Sequence, residues 1–231
     1  MAKISKTSVI FAILLIAAIL CVYVPGLNNQ LIFDDLRLAE GEFFGRYGSL
    51  LQFKQRMLSY GSFVWVQKLF GDGWWKQHLF NVFLHVLTVG ALYALFKSLL
   101  QRTQFPHDIE SQEHFQASRM AALRVGLIVF ALNPVAVYVV GYLIQRSILM
   151  ATLFAVLACF AYVRGLETGR IGWFVGGALA YVAAALSKEQ AALTVAMAVP
   201  LYIYVRRPRG KKFSSSRARP LSYSCSPSAP C

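Results

Sequence analysis

Acidic residues are scarce in this sequence. Ten Asp and Glu stand against 23 Lys and Arg in 231 residues, and charged residues of both signs make up only 14%. Soluble domains carry roughly 25% charged residues, so a water-covered globule is excluded. Cysteine is equally thin: Cys21 and Cys159 lie in apolar runs and Cys225 and Cys231 in the tail, with no CxxC or Cys/His ligand spacing. Neither a zinc site nor a disulfide framework is indicated, and the redox compartment stays open. No small-x-small cleavage site follows the first apolar run before Pro25. That run therefore reads as an uncleaved span and not as a signal peptide. No inverted internal repeat is visible, which counts against a transporter built on one.

What the chain has is apolar length, with 57% hydrophobic residues. Six stretches, 7–24, 79–99, 122–142, 147–164, 171–187 and 190–205, approach the roughly 20 apolar residues that a spanning helix needs. The expectation is an all-α, polytopic transmembrane bundle of about six spans over 1–205, followed by a basic tail, 206–231. Pro134 falls inside the third stretch and should kink or end that helix. The basic excess is expected to report orientation and contact with anionic lipid, with no nucleic-acid partner. Placing the N-terminus inside puts Lys3, Lys6, Lys97, Arg102, Arg119, Arg124, Arg164, Arg170 and the basic cluster after Tyr204 on one side. Both termini are then cytoplasmic, and the segments around 25–78, 141–147 and 187–189 face the periplasm or a lumen. The tail lacks apolar periodicity, predicts disorder, and reads as a truncated or frameshifted end.

The unusual polar residues gather on the outer side. Asp34 and Asp35 follow the first span directly. Carboxylates near a bilayer face water or meet a cation, a sugar hydroxyl or a proton donor; on spacing alone the pair also fits a solvated helix start. Phe43, Phe44, Tyr47, Leu50, Leu51, Phe53, Met57 and Leu58 recur at helical spacing among Arg46, Lys54 and Arg56. This pattern predicts interfacial helices with their apolar faces down, with Trp65, Trp74 and Trp75 in an aromatic belt. His78, Asn81 and His85 recur at i, i+3 and i+7, on one helix face. Such a face usually bonds neighbouring helices, and a metal would want a further ligand. Arg146 stands almost alone between Val125 and Val163. It can snorkel to headgroups, clamp a phosphate, or hold a carboxylate such as Asp35. Lys188 and Glu189 either pair locally or offer Lys188 as a point charge to a lipid-linked phosphate.

Taken in order, these segments resemble the N-terminal part of the GT-C superfamily of membrane glycosyltransferases. The likeness is closest to the protein O-mannosyltransferase-like and transmembrane-and-tetratricopeptide-repeat proteins. The matching residues are Phe33-Asp34-Asp35, His78-x-x-Asn81-x-x-x-His85, Asn133-Pro134 with Gln145-Arg146-Ser147-Ile148-Leu149, and Ser187-Lys188-Glu189. Two positions depart: Asn133 stands where the family has His before Pro, and Tyr138 where it has an acid. The resemblance implies transfer of a sugar from a polyprenyl-phosphate carrier to a protein or glycan hydroxyl on the outer face. Asp34 or Asp35 would act as general base. Arg146 and Lys188, with Glu189 beside them, would meet the departing lipid phosphate, and His78, Asn81 and His85 would support the site. A divalent metal stays possible. A membrane protein that binds lipid-linked phosphate or a partner subunit without turnover is the second reading, and a transporter fragment with mid-membrane acids the third. The catalytic reading requires the acids, Arg146 and Lys188 to converge on one external pocket.

Overall fold

The computed structural model describes residues 6–48, 54–102 and 109–206, and among them there is no strand. The first apolar run forms α1 (Lys6–Tyr23) and closes in a 3-10 turn, Val24–Asn28, where Pro25 cannot continue an α-helical ladder. A second 3-10 turn, Phe33–Asp35, opens into α2 (Leu36–Ala39), followed by α3 (Glu42–Arg46) and α4 (Met57–Phe70). Then come α5 (Trp74–Leu100), α6 (Ile109–Leu132), α7 (Pro134–Gly141), α8 (Arg146–Thr168) and α9 (Ile171–Ser187). A 3-10 stretch, Glu189–Met197, leads into α10 (Ala198–Arg206).

Four segments, Lys6–Asn28, Trp74–Leu100, His114–Leu132 and Arg146–Thr168, are long and apolar enough to cross a membrane. With Ile13, Leu14, Val125 and Val129 turned outward from the bundle, such helices need hydrocarbon around them. The chain is an integral membrane protein. Of the other two expected spans, α9 has 17 residues, and 190–205 divides between the 3-10 stretch and α10.

The third expected span, 122–142, is broken rather than kinked. Pro forces the residue before it out of the helical region, and Asn133 is extended (φ −62°, ψ 131°) with Pro134 opening α7. The Asn133 side chain accepts the Val135 N–H at 2.8 Å, the arrangement of an N-cap. Asn133→Ala should therefore lower stability by about 1 kcal/mol, read as a reduced melting midpoint in detergent.

In the first outer segment, expected to carry interfacial helices, one helix packs into the bundle itself. α4 buries Ser59, Gly61, Ser62, Phe63, Val64 and Val66 within the bundle, in contact with α5, α8 and α9. Phe43 and Tyr47 pack with Leu38, Phe63, Leu143 and Ile144 in a cluster that closes this end. The overlooked signal is the Ser59-x-Gly61-Ser62 face, whose small side chains let backbones approach closely. Leu50, Leu51 and Phe53, and the basic tail beyond Arg206, lie outside the described residues.

Close packing joins α8 and α9. A Cβ on Gly165 would lie 2.9 Å from the Phe174 ring, and Gly177 sits against Ala158 and Ala161. Gly169, at φ 67°, caps α8 by donating to the Gly165 carbonyl, so the chain reverses within two residues. At this end of the bundle Glu167 accepts hydrogen bonds from Ser98 (2.8 Å), Arg102 (2.9 Å) and Arg164 (2.6 Å). Arg102 also donates to the Val205 carbonyl at 3.1 Å, tying α5, α8 and α10 together. The opposite end carries Asp35, Arg146 and Lys188.

Candidate functional site

At the Asp35 end the backbone itself presents unpaired donors. The α7–α8 link leaves the Leu143 and Ile144 amides outside any helix, and such groups must find acceptors when buried. Asp35 supplies both. Its Oδ2 accepts from Leu143 at 3.0 Å and its Oδ1 from Ile144 at 2.9 Å, with the residue only 2% exposed. Burial pushes the Asp35 carboxyl above the ordinary carboxylate range; the two amides and the Arg146 charge pull the other way and do not fully offset it. Asp34, one residue earlier, is exposed. The acid pair is thus divided: one member locks two chain segments together and the other faces out.

Arg146 is fully enclosed, at 0% exposure. Its Nε donates to Asn81 Oδ1 at 2.7 Å, one Nη to the Gln77 carbonyl at 2.9 Å and the other to Ser62 Oγ at 3.3 Å. Phe63 and Phe80 cover the guanidinium, with ring centroids at 3.9 and 5.0 Å, a cation–π arrangement strengthened by desolvation. Arg146 therefore serves the protein interior. The phosphate-clamp role expected of it is not the one this geometry provides, because no part of the guanidinium reaches a ligand-accessible surface.

The polar face of α5 is likewise turned inward. Asn81 Nδ2 donates to the Val140 and Tyr142 carbonyls, at 3.2 and 3.4 Å. His85 Nε2 lies 3.0 Å from the Ala131 carbonyl and its ring meets Tyr23 edge-on at 5.4 Å. His78 is buried, with its Nε2 unpartnered among the described residues, as is Gln77 Oε1. Asn81 and His85 join α5 to α6 and α7, which is helix-packing work.

Hydroxyls continue the network towards residue 187. Ser62 Oγ donates to the Ser59 carbonyl at 2.5 Å, and Ser59 Oγ to the Ser187 carbonyl at 2.9 Å. Just beyond, Glu189 accepts a two-pronged bond from Arg56, at 2.9 and 2.6 Å, and a third from Gln55 at 3.2 Å. Lys188 is half-buried, and its side-chain amine has no hydrogen-bond or ion-pair partner among the described residues. Burial and the Arg56 charge hold its amine below the ordinary lysine range, against the pull of Glu189.

The bonds from Arg56 hold the Glu189 carboxyl at about 2, against an ordinary 4.5. A depressed carboxyl contributes stability above its unfolded value and loses it as pH falls through the folded one. The contribution should thus be complete above pH 4.5 and vanish towards pH 2. Glu189 is about half exposed, so screening limits the pair to roughly 0–1 kcal/mol. The melting difference between wild type and Glu189→Gln should be flat above pH 5 and close over that acid window.

Sequence reasoning missed a cavity of about 340 Å³ beside this pair, lined by Arg37, Arg46, Lys54 and Arg56 with Tyr47 and Tyr60. The four cations fall within twenty residues of one another in the chain, and Arg46, Lys54 and Arg56 had read only as the polar complement of interfacial helices. Among the described residues no three His, Cys, Asp or Glu side chains are grouped to hold a metal ion. Asp35, Arg146 and Lys188 do share one end of the bundle, through the α7–α8 link and the Ser62–Ser59–Ser187 row. They do not share one pocket. Together the fold and this end define an all-helical integral membrane protein with a buried arginine network beneath an exposed acid and a cationic cavity. No protein-family model, curated protein or solved structure matches the chain.

Proposed function

We propose that the chain is a membrane glycosyltransferase of GT-C type, or the N-terminal part of one, that takes a sugar from a polyprenyl-phosphate carrier. One observation carries the reading: Asp34 is an exposed carboxylate on a turn locked by Asp35, at the same end as the cationic cavity and the Lys188 amine. A hydroxyl is a weak nucleophile until a positioned base accepts its proton, and Asp34 has that role. The sugar's anomeric carbon then bonds the acceptor oxygen as its bond to the carrier phosphate breaks. The departing phosphate gains negative charge, which Lys188 and the cavity cations offset. Arg146 is a positioning residue that holds α4, α5 and α8 in register. Six spans, cytoplasmic termini and a periplasmic or lumenal Asp35 end complete the proposal. The acceptor is a protein or glycan hydroxyl.

The engagement of Arg146 with the protein favours a second reading, a lipid-phosphate binder without turnover, since it leaves one fewer cation for a leaving group. Reconstituted vesicles decide between them. Labelled sugar passing from a polyprenyl-phosphate donor to an acceptor, and failing to do so with Asp34→Asn, supports the transferase. Retention of the lipid phosphate with no transfer by the wild type supports the binder.

A further inference from the structure

Phe33 combines two features that rarely coincide. It is 77% exposed, and its backbone lies in the left-handed region at φ 52°. For a bulky residue that conformation is an outlier, tolerated where surrounding structure imposes it. Here the Asp35 carboxylate, two residues on, is fixed to Leu143 and Ile144. The same lock places the Phe33 ring over Tyr142, centroids 6.5 Å apart and planes 25° from parallel. Tyr142 in turn meets Tyr138 at 5.2 Å. The Tyr142 carbonyl is held by Asn81, and the Tyr138 hydroxyl accepts from Gln145 at 2.8 Å. Three rings are thereby fixed as a step, with the half-buried Gln145 amide at its Tyr138 end and exposed Asp34 next to Phe33 in the chain.

From this geometry we propose that the Phe33–Tyr142–Tyr138 step is a saccharide-binding platform. A pyranose has an apolar C–H face and a rim of hydroxyls. The rings offer stepped apolar area already ordered in the free protein, while the Gln145 amide beside Tyr138 and the exposed Asp34, one residue from Phe33, supply polar partners for hydroxyls. A lipid anchor fits less well, because an exposed carboxylate beside the ring disfavours hydrocarbon. A purely structural aromatic cluster would place Phe33 inside rather than leave it bare. The assignment rests on the sugar-transfer reading for its biological sense, though binding can be measured without transfer.

The test is saturation-transfer-difference NMR on the full chain in nanodiscs, with the methyl glycosides of glucose, mannose, galactose and N-acetylglucosamine as probes. At least one should show enhancement concentrated on the protons of one ring face. Phe33→Gly removes the ring and, because glycine accepts positive φ without strain, should leave the melting midpoint equal or higher. That variant and Tyr142→Leu should bind roughly two- to tenfold more weakly, whereas Phe33→Trp should retain binding. No enhancement with any glycoside, or equal enhancement in Phe33→Gly and Tyr142→Leu, overturns the platform. Asp34-dependent transfer that persists through such a failure leaves the transferase intact. Glycoside binding that depends on Phe33, in a protein that transfers nothing, keeps the platform and removes the transferase.

Discussion

Arg146→Ala is expected to abolish the folded bundle. The substitution deletes a side chain with no solvent exposure and leaves the acceptors Asn81 Oδ1, the Gln77 carbonyl and Ser62 Oγ without their donor. A buried polar group stranded in this way costs roughly 1–3 kcal/mol. Removing the cation also withdraws a positive charge that partly offsets the burial of Asp35. The Phe63 and Phe80 rings would then line an empty slot. These losses are coupled and do not sum, yet together they rival the lower end of a total stability of about 5–15 kcal/mol. Arg146→Lys should not rescue, since an ammonium is a point charge that cannot fill a planar slot while reaching three acceptors. Arg146→Met should be milder than Ala, because it refills the space between the rings and buries no charge. Fluorescence-detected size exclusion after a heating series orders the variants. A wild-type midpoint for Arg146→Ala would remove the keystone role.

The contrast between Arg146 and Lys188 shows where sequence reading works and where it stops. Apolar run length gave α1, α5 and α8 closely, because lipid leaves the backbone few alternatives to a helix. Pro134 marked the break after α6, while only the structure shows Asn133 capping the helix beyond it. Arg146 and Lys188 looked alike as lone outer cations in apolar surroundings. One proved wholly enclosed and the other half-buried, since enclosure depends on what α4 and α5 bring to the spot, 84 and 65 residues away in sequence. The same limit hid α4 as a bundle helix: its Ser/Gly face lacks the apolar stripe by which packed helices are recognised. The link from Arg56 to Glu189 spans 133 residues, and no periodicity reports such a contact. The acid pair was legible as a place but not as a division of labour, because adjacent residues leave a 3-10 turn in different directions.

That division makes the second large prediction. Under the proposed transferase function, Asp34→Asn should cut sugar transfer by roughly 10²–10⁴-fold, the range for loss of a positioned proton acceptor, while the protein inserts and melts as the wild type does. The carboxamide is isosteric with the carboxylate, and Asp34 is exposed with no buried network to disturb. Asp35→Ala should do the reverse. It strands the Leu143 and Ile144 amides, each at roughly 1–3 kcal/mol, frees the α7–α8 link and lowers the melting midpoint. Asp35→Asn should fall between, since the carboxamide keeps one acceptor, turns a donor toward the other amide and sheds a charge that burial disfavours. The pH dependence has a definite sign: a carboxyl raised above its unfolded value stabilises least when ionised, so Asp35's contribution declines as pH climbs from its unfolded to its folded value. Transfer and melting measured on the same three preparations test the assignment. If Asp35→Asn removes transfer at wild-type stability and Asp34→Asn leaves it untouched, the buried member is the base and the exposed one is a bystander.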